Sequence, residues 1–254
     1  MNTFIMIWLM ILGAIMGSFL GCMGYRIPNK IKTTYPSSFC SSCKKPLKWY
    51  MNIPIFSYIF LKGKCYYCKK SIGFIYFLCE ILGCLLFGLN YYLFGFSMYF
   101  FISTILTCVL IVTIVSDFKY FYISDRVIII SYILILVTKF AFLPCKEALA
   151  DVGSSIFLFL IMIGIKILGN GMFGRESLGD GDIKLMAVLS LGLGLIKSFI
   201  ALFFAAVLGL IFSLIIMKKN KDGIIPFGPF LIIGSMIVIY FINFINSFVE
   251  EFIF

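Results

Sequence analysis

Eight long apolar runs dominate the sequence, and they restrict the chain to one class of fold. Most of them approach the roughly 20 residues that an α-helix needs to cross the hydrocarbon core of a bilayer. The composition agrees, because 62% of the residues are hydrophobic and only 13% are charged, far fewer charges than soluble domains carry. The sequence therefore predicts an all-α polytopic membrane protein with about eight transmembrane helices. The runs cover residues 3–24, 74–96, 98–115, 127–144, 152–169, 183–197, 199–217 and 224–249.

The first run admits two interpretations, a transmembrane helix or a signal peptide. A signal peptide would begin with a basic region and end at a cleavage site of small residues. No Lys or Arg precedes the run, and the segment MGSFLGCMGYRIP does not resemble a cleavage site. We therefore predict a first transmembrane helix in residues 1–24, a cytoplasmic domain in 25–72 and a membrane-embedded helical bundle in 73–254.

Basic residues are distributed unevenly between the loops, which orients the chain because Lys and Arg favour the cytoplasmic side. With the N-terminus outside, 18 of the 21 basic residues fall on cytoplasmic segments. Segment 25–72 holds ten of them and no acidic residue, so it carries the whole net charge of +10. We expect this charge to rest on anionic lipid headgroups of the bilayer, and nucleic-acid binding is the less favoured reading. The other cytoplasmic basic residues are Lys119, Arg126, Lys166, Arg175, Lys184, Lys218, Lys219 and Lys221.

Two Cys-x-x-Cys pairs lie in segment 25–72, and their spacing is close to that of a zinc ribbon. Cys40 and Cys43 form the first pair, and Cys65 and Cys68 follow after 21 intervening residues. Four thiolates complete a tetrahedral zinc site with no open position, so such a site is structural. Iron, a pair of disulfides and four free thiols are the alternatives, although disulfides are rare in the cytosol. A small domain of this size also needs a cross-link of this kind in order to fold.

The chain contains no histidine, which excludes Ser-His and Cys-His nucleophiles and metal sites built on histidine. Carboxylate and lysine bases remain. Ionisable groups within membrane helices are costly and therefore indicate function. The acidic residues in or next to the apolar runs are Glu80, Asp117, Asp125, Asp180 and Asp182. Asp117 follows the third run and Asp182 precedes the sixth, so we expect both at the cytoplasmic face.

Two glycines separate the aspartates of the segment SLGDGDIKLM. Gly179 and Gly181 allow a sharp turn and the close approach of another segment, which places Asp182 at the N-terminal end of a helix. The apolar stretch that follows, residues 185–196, is about 18 Å long as a helix and falls short of the ~30 Å hydrocarbon core. Asp182 is therefore predicted to lie below the membrane surface. Taken alone, the motif is more typical of a simple helix cap in a polar turn.

Five blocks of sequence carry a more specific likeness. They are GSFLGCMGYRIP (17–28), the Cys-rich segment 39–80 with its Asn-Ile-Pro and closing Glu, SDFKYFYISD (116–125), GRESLGDGDIKLMA (174–187) and IPFGPFLIIG (225–234). In this order they resemble the type IV prepilin peptidases, a bacterial family of GxGD aspartic membrane proteases, over nearly the whole chain. The family usually has proline before the aspartate or asparagine that ends the third block, where this chain has Ser124 before Asp125.

The resemblance implies that Asp117 and Asp182 are the catalytic pair, one carboxylate activating water while the other, protonated, polarises the scissile carbonyl. Asp125 and Asp180 are competing candidates, read as a cap and a turn residue. Glu80 either supports the pocket or extends to the cytoplasmic surface. The implied substrates are prepilins or pseudopilins, cleaved at the cytoplasmic boundary of a bacterial cell membrane.

Methylation of the new N-terminus with S-adenosylmethionine is also implied, because bifunctional members of the family carry the four-Cys loop. The chain has no Gly-rich nucleotide motif, so the sequence does not indicate where this methyl donor binds. Two other functions compete: a non-catalytic zinc-ribbon membrane scaffold for pilus or secretion assembly, and a transporter with a proton relay. The presence of both aspartates disfavours the scaffold. The transporter would place its acidic groups near the membrane centre rather than at one edge.

Overall fold

The computed structural model describes residues 2–33, 35–174, 176–216 and 226–253. Its regular structure is α-helix, apart from one 3-10 turn and two isolated β-bridges. The helices are α1 (Thr3–Arg26), α2 (Phe56–Phe60), α3 (Phe74–Phe94), α4 (Met98–Tyr120), α5 (Asp125–Phe142), α6 (Cys145–Phe173), α7 (Asp180–Leu193), α8 (Leu195–Ile216), α9 (Gly228–Tyr240) and α10 (Ile242–Ile253). The predicted all-α class is confirmed. Arg175, Lys218, Lys219 and Lys221 lie outside the described residues.

Within the described ranges, each of the eight apolar runs corresponds to one helix or more. Five helices are long and apolar enough to cross a membrane: Thr3–Arg26, Phe74–Phe94, Met98–Tyr120, Cys145–Met172 and Leu195–Ile215. The other runs form helices that are shorter or more charged. Helix α7 has only 14 residues, and the final run divides at Phe241 into α9 and α10.

The chain divides into two compact units. Unit 1 consists of Met1–Phe96 and Leu110–Tyr122, and unit 2 consists of Ser97–Val109 and Ile123–Phe254. Unit 1 therefore contains α1, the four-Cys segment (residues 25–72), α3 and the C-terminal half of α4. Unit 2 contains the N-terminal half of α4 and the helices from α5 onward.

In unit 1, helices α1 and α3 pack closely because glycines remove side chains from their contact. A Cβ atom on Gly17 would lie 2.5 Å from the carbonyl oxygen of Cys79, and a Cβ atom on Gly13 would collide with the backbone of Gly83. Small residues four positions apart allow membrane helices to approach in this way. The spacing of glycines in the first run therefore determines how α1 and α3 pair.

In unit 2, helix α7 occupies the core. It contacts α5, α6, α8 and α9, and nine of its 14 residues are buried. A helix that is apolar on all faces is expected in such a central position. Its 14 residues span about 21 Å, so the predicted short helix is confirmed. Gly194 ends it with a left-handed φ of 77°, immediately before α8 begins.

Candidate active site

The two Cys pairs of the four-Cys segment lie in matching backbone turns. In the first turn, the N–H of Lys44 donates to the carbonyl oxygen of Cys40 at 2.9 Å. In the second, the N–H of Lys69 donates to the carbonyl oxygen of Cys65 at 3.0 Å. Lys44 and Lys69 both adopt left-handed backbone conformations, with φ of 60° and 58°. The chain therefore builds the same turn twice, and each turn contributes two thiols to one cluster.

The geometry of this cluster fits a zinc ion. The Sγ atoms of Cys40, Cys43, Cys65 and Cys68 all lie within 4.8 Å of one another. Those of Cys40 and Cys68 are 3.9 Å apart, close to the ~3.8 Å edge of a tetrahedron whose Zn–S bonds are about 2.3 Å long. The nine cysteines of the chain, all within the described residues, are free thiols. The predicted four-Cys cluster is confirmed, and its donors suit zinc.

The thiols of the cluster differ in how readily they ionise. Burial acts to raise the pKa of Cys40, but hydrogen bonds from the backbone N–H groups of Cys43 and Ser42, together with neighbouring thiols, lower it to about 7. At Cys68 the N–H of Lys70 favours the thiolate, whereas burial and the three neighbouring thiols raise the pKa to about 11. Four thiolates at this separation repel one another, so a bound cation is required to keep all of them ionised.

Asp117 lies in the last turn of α4, within unit 1, as predicted for the end of the third run. Its exposed fraction is only 5%. Two contacts hold this end of α4 against the other helices of the unit. The Nζ of Lys119 donates to the hydroxyl of Tyr76 at 3.3 Å, and the rings of Tyr25 and Tyr120 lie 6.4 Å apart. The carboxylate of Asp117 is thus buried on a well-anchored helix end.

Asp182 is the third residue of α7, within unit 2. The helix begins at Asp180, and Gly179 occupies the N-cap position without a side-chain hydrogen bond. The predicted close approach at Gly181 is confirmed, because a Cβ atom there would lie 2.8 Å from the Cβ of Ile123. The carboxylate of Asp182 therefore lies in the first turn of a helix, where the backbone dipole favours negative charge.

Lysines engage both of the competing aspartates. Asp125 Oδ1 lies 2.6 Å from the Nζ of Lys184, and Asp180 Oδ1 lies 2.6 Å from the Nζ of Lys166. The predicted cap role of Asp125 is wrong, because Ser124 occupies the N-cap position and Asp125 is the first residue of α5. Asp180 is likewise the first residue of α7 rather than part of a turn. Both carboxylates are thus paired with a lysine and remain largely exposed.

The segment before α7 is tied to the C-terminal part of α6. The N–H of Ser177 donates to Asn170 Oδ1 at 2.8 Å, and the Ser177 hydroxyl donates to the carbonyl oxygen of Lys166 at 3.3 Å. Lys166 therefore holds this segment through its backbone and Asp180 through its side chain. Together these contacts connect α6 to the segment that leads into α7 and Asp182.

Glu80 supports the four-Cys segment instead of extending to the surface. Its Oε2 accepts a hydrogen bond of 2.6 Å from the N–H of Ile55, and the hydroxyl of Ser18 also bonds to it. Ile55 follows the Asn-Ile-Pro motif and has a left-handed φ of 66°, a conformation that is unusual for a β-branched residue. The carboxylate therefore anchors this turn to α3.

Sequence reasoning missed Arg26, whose exposed fraction is only 4%. Its guanidinium lies 5.6 Å from the ring centroid of Phe39 and donates four hydrogen bonds to the loop after α1. The acceptors are the carbonyl oxygens of Lys32, Thr33, Pro36 and Ser37. The sequence did contain an indication of this role: an arginine lies at the end of a membrane helix, and the segment that follows it has no acidic residues. Only carbonyl groups and aromatic rings remained there as partners for its charge.

Comparison with known proteins identifies the family. The model of the Bacterial Peptidase A24 N-terminal domain matches residues 11–94, and that of the type IV leader peptidase family matches residues 104–214. A Bacillus subtilis protein named prepilin leader peptidase/N-methyltransferase is 30% identical over 243 residues, which cover 94% of this chain and 96% of the relative. The chain belongs to the type IV leader peptidase family.

Other type IV leader peptidases show the same extent of similarity. A protein of the same name from Neisseria gonorrhoeae is 30% identical over 255 residues, covering 90% of this chain and 87% of the relative. Another protein of this name, from Pseudomonas aeruginosa, is 27% identical over 257 residues, which cover 90% of this chain and 88% of the relative. No solved structure matches the chain. Family membership and the five apolar helices together make this type IV leader peptidase a bacterial membrane protein.

Proposed function

We propose that this protein removes the basic leader from type IV prepilins or pseudopilins and then methylates the new N-terminus. The likeness to the Bacillus subtilis relative, over 94% of the chain, carries this proposal. In our proposal the N-terminus lies outside the cell membrane and the four-Cys segment lies in the cytoplasm, as the distribution of Lys and Arg indicates. Cleavage then occurs at the cytoplasmic boundary, where the leader meets the apolar helix of the pilin.

We assign Asp117 and Asp182 as the catalytic pair. Asp117 is a buried carboxylate, whereas the side chains of the competing residues Asp125 and Asp180 are 63% and 75% exposed. In this mechanism the ionised carboxylate takes a proton from water, whose oxygen attacks the scissile carbonyl carbon. The protonated carboxylate donates a hydrogen bond to the carbonyl oxygen. The C–N bond then breaks and the leaving nitrogen takes up a proton, which gives a leader carboxylate and a free pilin amine.

We assign a structural zinc ion to Cys40, Cys43, Cys65 and Cys68. Four protein ligands leave no position for water or substrate, so the metal stabilises the four-Cys segment instead of taking part in catalysis. S-Adenosylmethionine, when bound, supplies an electrophilic methyl group to the neutral pilin amine, leaving S-adenosylhomocysteine and a proton.

Four matched Asp→Asn variants test the catalytic assignment. We expect Asp117→Asn and Asp182→Asn to insert into membranes normally and to abolish cleavage of a co-expressed prepilin, measured by mass spectrometry of leader loss. Asp125→Asn and Asp180→Asn are the controls, and each should retain most of the cleavage rate because an exposed ion pair contributes only about 0–1 kcal/mol. Cleavage near the parent rate in Asp117→Asn or Asp182→Asn would refute the assignment. An equal loss in Asp125→Asn would make Asp125 the first member of the pair.

A further inference from the structure

Unit 1 contains a cavity of about 190 Å³ between the four-Cys segment and the helices α1 and α3. It adjoins a wider cleft of about 480 Å³. Aromatic rings form part of its wall, including Tyr58 and Phe77, which stack with their centroids 4.5 Å apart. The residues that line both spaces are Ser18, Cys22, Arg26, Ser38 and Asn52. A concave site with apolar walls and a few polar groups is typical of small-molecule binding.

Glu80 is the acidic residue in the lining of this cavity. It is also the only acidic residue among the first 96, a stretch that contains ten basic residues. Within the described residues it forms no ion pair, and its hydrogen bonds come from the Ile55 N–H and the Ser18 hydroxyl. Because the two oxygens of a carboxylate offer about four acceptor positions, Glu80 retains the capacity to bind a cationic group.

The other charged residues of the lining complete the pattern. Arg26 directs the two terminal nitrogens of its guanidinium to four backbone carbonyls, so these donors are already engaged within the protein. Lys70, an exposed residue of the lining, supplies a cation to the same space. The cavity therefore offers one anionic and one cationic group beside aromatic rings. An amino acid joined to a nucleoside matches this set, because it carries an ammonium, a carboxylate and a flat base.

We propose that this cavity binds S-adenosylmethionine, with Glu80 holding the ammonium of its methionine portion. The inference rests on the methyltransferase activity proposed above and adds the location of the donor. Cys40 and Cys65 also line the cavity, so the four-Cys cluster would share a wall with the bound donor. A lysine of the prepilin leader is another cation that suits Glu80, and the experiment separates the two ligands.

Calorimetric titration of the full-length protein in detergent tests the proposal with three probes: S-adenosylmethionine, S-adenosylhomocysteine and methylthioadenosine, which lacks the amino acid portion. In Glu80→Gln the amide oxygen can still accept from the Ile55 N–H, so only the charge is lost. We expect both amino-acid-bearing probes to bind about 10- to 100-fold more weakly, as for the loss of a charged hydrogen bond, while methylthioadenosine binds unchanged. The matched control is Glu147→Gln, which alters an exposed carboxylate in unit 2.

A second variant, Lys70→Gln, removes the cation that faces the carboxylate from an exposed position of the lining and should weaken the same two probes. It decides the outcome if Glu80→Gln fails to fold.

Parent-like affinities in both variants, or an equal loss for all three probes, would overturn the assignment. An increased KM for prepilin cleavage with unchanged donor affinity would assign Glu80 to the leader instead. If the parent cleaves prepilin but binds none of the probes, the proposed methyltransferase activity fails together with this inference. If it methylates pilin but the variants bind normally, only the location is wrong.

Discussion

Gly181→Ala is a small change whose effect can be worked out from the structure. The added Cβ would lie 2.8 Å from the Cβ of Ile123 and 3.2 Å from its Cγ1, whereas carbon atoms in contact prefer about 3.5–4.0 Å. Either α7 or the segment that carries Ile123 must therefore move by about 1 Å. Because Asp182 is the next residue, this movement displaces the proposed catalytic carboxylate.

The expected effects on stability and on activity differ in size. Alanine favours the helix over glycine by about 1 kcal/mol, which offsets part of the roughly 1–3 kcal/mol cost of overpacking, so thermal unfolding should change little. A misplacement of about 1 Å at a reacting group costs up to about 100-fold in rate. We therefore expect Gly181→Ala to slow leader removal by about 10- to 100-fold, measured by a mass-spectrometric time course on purified prepilin.

Gly164→Ala provides the matched control, because a Cβ on Gly164 of α6 meets nothing within 4 Å. That variant should cleave like the parent. Rescue gives a sharper test: Ile123→Gly removes the colliding Cβ and should restore part of the rate in Gly181→Ala, whereas Ile123→Ala leaves the Cβ in place and should restore little. A parent-like rate in Gly181→Ala, or equal rescue by the two changes at Ile123, would refute the steric argument.

Two further predictions concern the metal and the membrane orientation. Purified protein should contain close to one equivalent of zinc by elemental analysis. Cys40→Ser or Cys65→Ser should lower this zinc content, while the control Cys145→Ser should leave it unchanged. Protein that lacks zinc and contains disulfides would contradict the site. Cys145 is an exposed thiol at the start of α6. If the N-terminus lies outside, Cys145 also lies outside, and a membrane-impermeant maleimide should label it on intact spheroplasts. Cys145→Ser should abolish that labelling. Labelling only after lysis would reverse the proposed orientation.

The four-Cys cluster shows why some sites can be predicted from local sequence. A Cys-x-x-Cys turn brings its own two thiols together, and the positive-φ residues that close the turns, Lys44 and Lys69, directly follow each pair. Only the meeting of the two turns depends on the rest of the fold, and the common spacing of such pairs made that meeting predictable. The zinc ion itself stays a prediction.

The aspartates show the opposite case. Residue type and position placed Asp125 and Asp180 among the candidates, but their partners, Lys184 and Lys166, lie 59 and 14 residues away in sequence. No local pattern indicates which lysine reaches which carboxylate. The partners of these two carboxylates therefore depend on contacts between helices.

The sequence by itself determined the class of fold, because apolar runs of membrane-spanning length have few ways to satisfy their backbone other than as helices. It also determined the short helix at Asp180–Leu193 and the two Cys-x-x-Cys turns, since each follows from local composition and spacing. Only the tertiary structure decided that Glu80 anchors the turn at Ile55 and that Arg26 organises the loop after α1. The physical reason is that buried polar groups must find partners, and the fold, through contacts distant in sequence, determines which partners come within reach.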